Sequence, residues 1–195
     1  MKNIVFDLGR VVFAQDPTKS TEEFRAFFSY VSQTQMPGFW SEYDRGALSL
    51  DEVAAELAAY RGVDVGFARE MILLAIGKQE AISPTEALIQ DLKAAGYKLY
   101  VLSNMAREFI EFLRRKPVYT NFDGDVVSCE VGVVKPQDEI YDLLLSKFAL
   151  EPDQTMFIDD REENVVAAAK KGISTFHFDR QDYEGSCQRL REILL

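Results

Sequence analysis

Short apolar runs recur along the chain and divide it into regular segments. Each run is continuous rather than alternating, a pattern typical of strands that are buried on both faces of a parallel sheet. Four runs are strong and a fifth is weaker: NIVFD (3–7), YKLYVLSN (97–104), TMFIDD (155–160), ISTFHF (173–178) and the weaker GDVVSCE (124–130). The pattern therefore predicts buried strands at these places.

Segments with helical spacing separate these runs in the larger, C-terminal part of the chain. They cover residues 83–96, 105–115, 137–150 and 161–172. Helices and strands thus alternate from residue 83 onward, and that order is typical of helices covering both faces of a mostly parallel sheet. The sequence therefore predicts a doubly wound, Rossmann-like α/β fold.

Residues 14–82 follow a different pattern. We find no convincing strand there, whereas amphipathic helical spacing is clear in TEEFRAFFSYV (21–31), SLDEVAAELAAYRG (49–62) and GFAREMILLAIG (66–77). An insertion of roughly 70 residues needs structure of its own. We therefore expect an α/β core formed by residues 1–14 and 83–195, with residues 15–82 inserted as an all-helical cap over the carboxyl edge of the sheet.

Composition narrows the class of protein. Apolar residues make up 47% of the 195 residues, which is enough for a substantial core. The net charge is -10 and the basic residues form no cluster, so we expect neither a nucleic acid nor an anionic membrane as a partner. No signal-peptide pattern and no long apolar segment occur. We expect a cytoplasmic protein that is a monomer or a weak dimer.

Few residues are available for soft-metal or histidine chemistry. The chain has two cysteines, Cys129 and Cys187, without C-x-x-C spacing, and a single histidine, His177. A site with several histidine ligands for zinc is therefore excluded, and no G-x-S-x-G pattern accompanies the histidine. Catalysis would have to use carboxylates, lysine, hydroxyl groups or a hard metal ion.

Polar side chains of those types follow the predicted strands. In an open α/β sheet, ligands bind outside the carboxyl ends of the strands. One such residue alone is most simply a cap of the next helix, but three acids, a lysine, a hydroxyl and an amide fall at the same edge: Asp7, Ser103, Asn104, Lys135, Asp159 and Asp160. Clustered carboxylates need a cation, and a hard ion such as Mg²⁺ suits oxygen ligands. The residue types indicate phosphoryl transfer to Asp7.

Four motifs carry a resemblance to a known family. FDLGRV (6–11), VLSN (101–104), VVKP (133–136) and FIDDREEN (157–164) occur in this order and span most of the chain. They resemble the motifs of the haloacid dehalogenase (HAD) superfamily of phosphohydrolases, in the form that carries a helical cap after the first motif. The DLG form is similar to the branch of sugar-phosphate phosphatases and of the N-terminal domains of soluble epoxide hydrolases.

The resemblance implies a Mg²⁺-dependent phosphatase that acts on a small phosphorylated metabolite through an aspartyl-phosphate. Asp7 would be the nucleophile and Lys135 would neutralise both Asp7 and the phosphate. Ser103, with Asn104 beside it, would bind the phosphate. The metal ligands would be Asp7, the Gly9 carbonyl, Asp160 directly and Asp159 directly or through water.

Gly9 departs from the family pattern. The residue two positions after the nucleophile normally supplies the general acid, and a glycine keeps only the backbone carbonyl. A leaving group that needs little protonation is then favoured, such as the anomeric oxygen of a hexose 1-phosphate. Alternatively, Asp16 or a water above Gly9 supplies the proton.

Several neighbouring residues have two interpretations. Arg10 either contacts the substrate or is solvated, and Asn164 either fixes Asp160 or only faces the turn. Trp40 and Tyr43 either line the underside of the cap or, as we expect, pack between its helices. Met105 is expected in the first turn of a helix, and His177 is expected to be structural.

Three rival functions remain at this point. A true 2-haloacid dehalogenase would also use Asp7 as nucleophile but would leave Asp159 and Asp160 without a purpose. A catalytically weak relative that binds a phosphorylated ligand is suggested by Gly9. A phosphorelay receiver domain fits poorly, because it would not place its phosphorylated aspartate on the first strand or carry a helical insertion.

Overall fold

The computed structural model describes residues 1–32 and 36–195. A parallel sheet of five strands has the order β5-β4-β1-β6-β7, and a separate antiparallel pair is formed by β2 and β3. The strands are β1 Asn3–Phe6, β2 Phe13–Gln15, β3 Gln79–Ala81, β4 Lys98–Ser103, β5 Gly124–Val127, β6 Thr155–Asp159 and β7 Ser174–His177. The predicted α/β fold with a doubly wound sheet is confirmed.

Helices cover both faces of this sheet, and four further helices, α1–α4, lie between β2 and β3 in the chain. They are α1 Glu22–Phe27, α2 Gly38–Asp44, α3 Leu50–Arg61, α4 Val65–Gly77, α5 Ser83–Ala94, α6 Arg107–Leu113, α7 Ser128–Val131, α8 Asp138–Phe148, α9 Glu162–Lys170 and α10 Tyr183–Leu194. No helix in the described part of the chain is long and apolar enough to cross a membrane.

The central strand β1 shows why its apolar run is continuous. Successive side chains of a strand point to opposite faces, and Ile4 and Phe6 lie in one hydrophobic cluster while Val5 lies in the cluster on the other face. All three are fully buried. A strand that is buried on both faces cannot alternate apolar with polar residues.

Two local predictions were wrong. The stretch 14–82 was expected to contain no strand, yet β3 lies within it and pairs with β2. The fifth apolar run was expected to be extended to residue 130, but its strand ends at Val127 and α7 follows. A strand of three residues has too few positions to show a periodic pattern in the sequence. The strands β2 and β3 form because they pair with each other across the insertion.

The helices α1–α4 contribute most of a hydrophobic cluster of their own. Trp40, Leu57 and Ile72 are buried in it, and Ala106 and Phe109 from the segment around α6 also contribute. Helix α3 begins with a capping box between Ser49 and Glu52. The buried side chains of this cluster are distinct from those of the two clusters that cover the faces of the sheet.

Candidate active site

The carboxyl ends of three adjacent strands bring the polar residues together. Asp7 directly follows β1, which lies between β4 and β6 in the sheet. Ser103 is the last residue of β4 and Asp159 is the last residue of β6. Parallel pairing of these strands therefore places the three side chains at one edge, as the sequence predicts.

Lys135 is the centre of the cluster. Its Nζ donates hydrogen bonds to Asp7 Oδ1 at 2.7 Å, to Asp159 Oδ2 at 2.6 Å and to the Leu102 carbonyl oxygen at 2.9 Å. Burial acts to lower the pKa of Lys135, but the Asp159 and Asp7 carboxylates together raise it above its usual value. The ammonium group is therefore charged, and each of its three N–H groups donates a hydrogen bond.

Asp7 is buried at the base of the site. Burial raises its pKa to about 7, Lys135 acts to lower it, and the nearby Asp159 and Asp160 raise it further. The loop after Asp7 is a tight turn in which the Leu8 carbonyl accepts the backbone N–H groups of residues 11–13. Gly9, within this turn, lines the cavity.

Asp159 and Asp160 have different environments. The Asp159 carboxylate is fully buried and accepts hydrogen bonds from Lys135, from the Arg161 backbone N–H at 2.8 Å and from Asn164 Nδ2 at 3.0 Å on each oxygen. Asp160 lines the cavity and is paired with Arg180 at 3.1 Å. Asn164 therefore fixes Asp159, and the expectation that it fixes Asp160 was wrong.

The three acids can hold a metal ion. Asp7, Asp159 and Asp160 each offer one carboxylate oxygen, and the three oxygens lie within 4.8 Å of one another. The donors are hard oxygens without sulfur or imidazole, so the set fits Mg²⁺ better than zinc. Burial and the neighbouring Asp159 raise the pKa of Asp160, while Arg10 and Arg180 act to lower it.

The two predicted phosphate ligands on the loop after β4 differ in their contacts. Ser103 Oγ is buried and has no hydrogen-bond partner among the described residues. Asn104 instead binds the backbone of Lys135 with both ends of its carboxamide, at 2.8 and 2.9 Å. A buried hydroxyl without a partner is costly, so Ser103 is the better candidate for a ligand contact, while Asn104 positions Lys135.

The environment of Gly9 does not require a glycine. A Cβ at this residue would meet nothing closer than Asp7 Oδ2, at 3.9 Å. Asp16, considered above as a substitute acid, accepts hydrogen bonds from the Thr18 backbone and hydroxyl group at 2.8 and 2.6 Å and faces Lys19. It is not among the described residues that line the cavity, which argues against a role in proton transfer.

A cavity of about 700 Å³ opens above the cluster. Residues from both the sheet edge and the α1–α4 segment line it. The apolar part of the wall is largely aromatic, with Phe13, Phe24, Phe28, Trp40, Phe109 and Tyr183, and arginines 10, 25, 161 and 180 also reach it. In a chain with a charge of -10, this concentration of arginine favours an anionic ligand.

The remaining predicted residues have defined places. Arg10 lines the cavity. Tyr43 is buried in the cluster formed mainly by α1–α4, as expected, and Trp40 is buried there but also lines the cavity. Met105 was expected in the first turn of a helix, but α6 begins only at Arg107 and Met105 lines the cavity. His177 Nε2 lies 3.1 Å from the Asp160 carbonyl oxygen, consistent with a structural role.

Sequence reasoning missed Asp44. It is the last residue of α2, next to Tyr43, and it lines the cavity together with Asp7. Burial raises the pKa of its carboxyl to about 8, although Arg161 and the Ala106 backbone N–H act to lower it. No spacing rule relates residue 44 to the strand ends, so the sequence contained no signal for this contact.

Comparison with known proteins agrees with the motif pattern. The profile of a hydrolase family, described as haloacid dehalogenase-like hydrolase, matches residues 2–172. This range includes all four motifs and the helical insertion.

Two curated relatives match nearly the whole chain. A sesquiterpene phosphatase of Aspergillus oryzae is 25% identical over 99% of this chain and 96% of its own length. A D-ribitol-5-phosphate phosphatase of Bacteroides thetaiotaomicron is 26% identical over 90% of this chain and 91% of its own length.

A similar fold occurs in solved structures. A HAD family enzyme from Bacteroides thetaiotaomicron, crystallised in complex with magnesium and inorganic phosphate, superposes with a TM-score of 0.74 at 24% identity. The superposition covers 92% of this chain and 95% of the other.

Proposed function

This chain belongs to the haloacid dehalogenase-like hydrolases, and we propose that it is a Mg²⁺-dependent phosphatase that uses Asp7 as its nucleophile. The two curated relatives above are both phosphatases, and a structural relative was crystallised with magnesium and phosphate. These similarities support phosphate ester hydrolysis as the reaction class.

One observation carries the proposal. Lys135 holds Asp7 and Asp159 at 2.7 and 2.6 Å, while Asp7, Asp159 and Asp160 present oxygens to a common point. Lys135 is shared by Asp7 and Asp159, and Arg180 pairs with Asp160. Two cations therefore face three acids, so a further cation would complete the neutralisation and would also attract an anionic substrate. A carboxylate between a cation and a phosphate group is suited to nucleophilic attack on phosphorus.

The residues of the chain would divide the chemistry as follows. Asp7 attacks phosphorus and becomes an aspartyl-phosphate, while Lys135 holds the Asp7 carboxylate in position and offsets its charge. Ser103 donates its unpartnered hydroxyl to the phosphate. Mg²⁺ held by Asp7, Asp160, Asp159 and the Gly9 carbonyl would supply positive charge to the transferring phosphoryl group.

We assign residues 15–82 to the cap and residues 1–14 and 83–195 to the core of this enzyme. The separate cluster of α1–α4 supports the division. The cap would close the cavity over Asp7, exclude water and contact the organic part of the substrate.

The substrate is expected to be a small phosphate monoester. The missing acid at Gly9 favours a sugar phosphate with an acidic leaving oxygen, such as a hexose 1-phosphate. A second class is favoured by a specific observation, since the six aromatic side chains of the wall suit a hydrocarbon group. A terpenyl phosphate therefore belongs in the same substrate panel.

Phosphate release tests the proposal. The purified chain should release phosphate from p-nitrophenyl phosphate and from at least one member of the panel when MgCl₂ is present, and EDTA should stop the reaction. Asp7→Asn should abolish turnover and leave the fold intact. Turnover within a few-fold of wild type in Asp7→Asn would contradict the assignment of the nucleophile.

The dehalogenase alternative makes an opposite prediction. Halide release from 2-chloropropionate, unaffected by EDTA and unaccompanied by phosphatase activity, would replace the proposal. The acid pair at 159 and 160 weighs against this alternative, because a dehalogenase would gain nothing from a metal site.

A further inference from the structure

We propose that Asp44, at the end of α2, is the general acid and base of this site. It would replace the acid that the family pattern places at residue 9, where this chain has a glycine. The inference rests on the proposed phosphatase function and adds the proton donor to it. It replaces the earlier expectation for Asp16.

Elimination among the acids of the cavity leads to Asp44. The described residues that line the cavity include four carboxyl groups, those of Asp7, Asp44, Asp160 and Glu163. Asp7 and Asp160 belong to the nucleophile and metal cluster, and Glu163 is exposed and faces Arg161 at 3.4 Å. Asp44 alone lies outside the metal cluster and has no salt bridge to a basic side chain.

The position of Asp44 is fixed by three consecutive residues. Tyr43 donates its hydroxyl to Glu108 Oε2 at 2.7 Å, the Asp44 backbone carbonyl accepts a hydrogen bond from Ser128 Oγ, and Arg45 donates to the Gly132 carbonyl at 3.2 Å. Each of these bonds joins the end of α2 to the α/β core. Asp44 is therefore held against the core even though it belongs to the helical insertion.

Gly46 allows this close approach. Its φ is +81°, and a Cβ at this residue would lie 2.5 Å from the Cys129 carbonyl oxygen. Any larger residue would push the end of α2 away from α7. The close packing of Gly46 against Cys129 thus holds Asp44 at the edge of the cavity.

The same contacts connect Asp44 to the loop that carries Ser103. Ser128 Oγ, which holds the Asp44 carbonyl, itself accepts the Met105 backbone N–H at 2.9 Å. The next backbone N–H, that of Ala106, acts on the Asp44 carboxyl and works to lower its pKa. The proton donor and the phosphate-binding hydroxyl are therefore positioned by one short segment, residues 103–106.

The environment keeps this carboxyl protonated near neutral pH. The groups that act on it are Arg161, Asp7 and the Ala106 N–H, and the hydroxyls of Tyr30 and Tyr43 and the thiol of Cys129 are also close enough to interact. The raised pKa described above agrees with a group that begins the reaction as a neutral acid.

The proposed steps balance. Asp7 forms a bond to phosphorus as the bond from phosphorus to the leaving oxygen breaks, and that oxygen takes the Asp44 proton. Asp44 is then a carboxylate. A water molecule gives a proton to Asp44 as its oxygen attacks the aspartyl-phosphate, which releases inorganic phosphate and restores the Asp7 carboxylate and the Asp44 acid.

Leaving-group dependence tests the role of Asp44. Asp44→Asn keeps the size of the side chain and removes its titratable proton. It should slow the best alkyl or sugar phosphate of the panel by about 100-fold or more, and change p-nitrophenyl phosphate, whose leaving group departs as an anion, by only a few-fold. Glu56→Gln, an exposed change on α3 of the same segment, should leave both rates unchanged.

Restoring an acid at residue 9 provides the second arm. Gly9→Asp in the Asp44→Asn background should recover much of the lost rate on the alkyl ester, because a Cβ at residue 9 has room. If Asp44→Asn does not fold by circular dichroism, Asp44→Ala is tested with added formate, which should rescue the alkyl ester selectively.

The outcomes separate the two proposals. Equal slowing of both esters by Asp44→Asn, or no slowing of either, would overturn the role of Asp44 and leave the phosphatase assignment standing. No phosphate release by the wild-type protein from any ester would overturn the proposed function itself, and the role of Asp44 with it.

Discussion

Lys135 Nζ lies 2.7 Å from Asp7 Oδ1 with both side chains almost completely buried. The same ammonium group binds Asp159, so its removal leaves two acids without compensation. We predict that Lys135→Met lowers the free energy of unfolding by about 3–5 kcal/mol and abolishes turnover. Urea unfolding monitored by circular dichroism measures the first effect.

Two controls accompany Lys135→Met. Adding Asp7→Asn to this variant should recover part of the lost stability, because one uncompensated charge is removed. Arg69→Met breaks the exposed pair between Arg69 and Asp51 and should cost no more than about 1 kcal/mol. Equal losses in Lys135→Met and Arg69→Met would show that the buried pair is not the source of the effect.

Asp160 and Asp159 should differ in their effect on metal binding. Asp160 lines the cavity, whereas the Asp159 carboxylate is already used by Lys135, Asn164 and the Arg161 N–H. We predict that Asp160→Asn weakens Mg²⁺ binding in calorimetric titration and raises the Mg²⁺ needed for half-maximal rate. Asp159→Asn should mainly lower stability, and a greater loss of Mg²⁺ affinity in Asp159→Asn would reverse the assignment.

The strands of the parallel sheet were predictable because strands buried on both faces have continuous apolar runs in the sequence. Val5 and its neighbours put apolar side chains on both faces of the sheet. Asp7 and Asp159 come at the carboxyl ends of their strands, and these ends form the edge where ligands bind. The ribbon of β2 and β3 was not predictable, since three residues carry no period. The placement of these acids at one edge of the sheet could therefore be predicted from local sequence patterns.

The contacts of Asn164 and Asp44 depended on tertiary geometry. Whether Asn164 reaches Asp159 or Asp160 is decided by which of two adjacent side chains turns inward, and adjacent residues of one motif look alike in the sequence. Asp44 reaches the cavity only because Gly46 lets α2 approach residue 129. A contact between two segments that lie far apart in the sequence has no counterpart in the spacing of either one.

The aromatic wall should determine how the enzyme ranks organic groups. Phe109, on α6, lines the cavity and is only partly buried, so its truncation disturbs the core less than that of Trp40. We predict that Phe109→Ala lowers kcat/KM for a terpenyl phosphate about 10-fold relative to its value for a hexose 1-phosphate, because lost apolar contact of about 1.4 kcal/mol corresponds to that factor. Steady-state kinetics on both esters check this ratio, and equal losses on both would mean that Phe109 does not contact the organic group.

Stability in the absence of metal should fall as the pH rises. Burial raises the pKa of Asp44 to about 8 and that of Asp7 to about 7, whereas an aspartate in an unfolded chain has a pKa of about 3.9. A carboxyl with a raised pKa binds its proton more tightly in the folded protein than in the unfolded chain, so its contribution is complete below about pH 4 and is lost as the pH rises through the folded pKa. With EDTA present, the free energy of unfolding of the wild-type protein should therefore decrease between pH 5 and pH 9, by linkage to about two protons.

Asp44→Asn isolates one of the two groups. The amide does not titrate, so the decrease of stability with pH should be shallower in this variant, whereas the exposed change Glu56→Gln should retain the wild-type slope. The groups that face Asp44 include Arg161, which stays charged over this range, and Asp7, which titrates in the same direction. Urea unfolding at several pH values measures the slopes, and an unchanged slope in Asp44→Asn would show that Asp44 is already ionised in the folded protein and is not the neutral acid that the site requires.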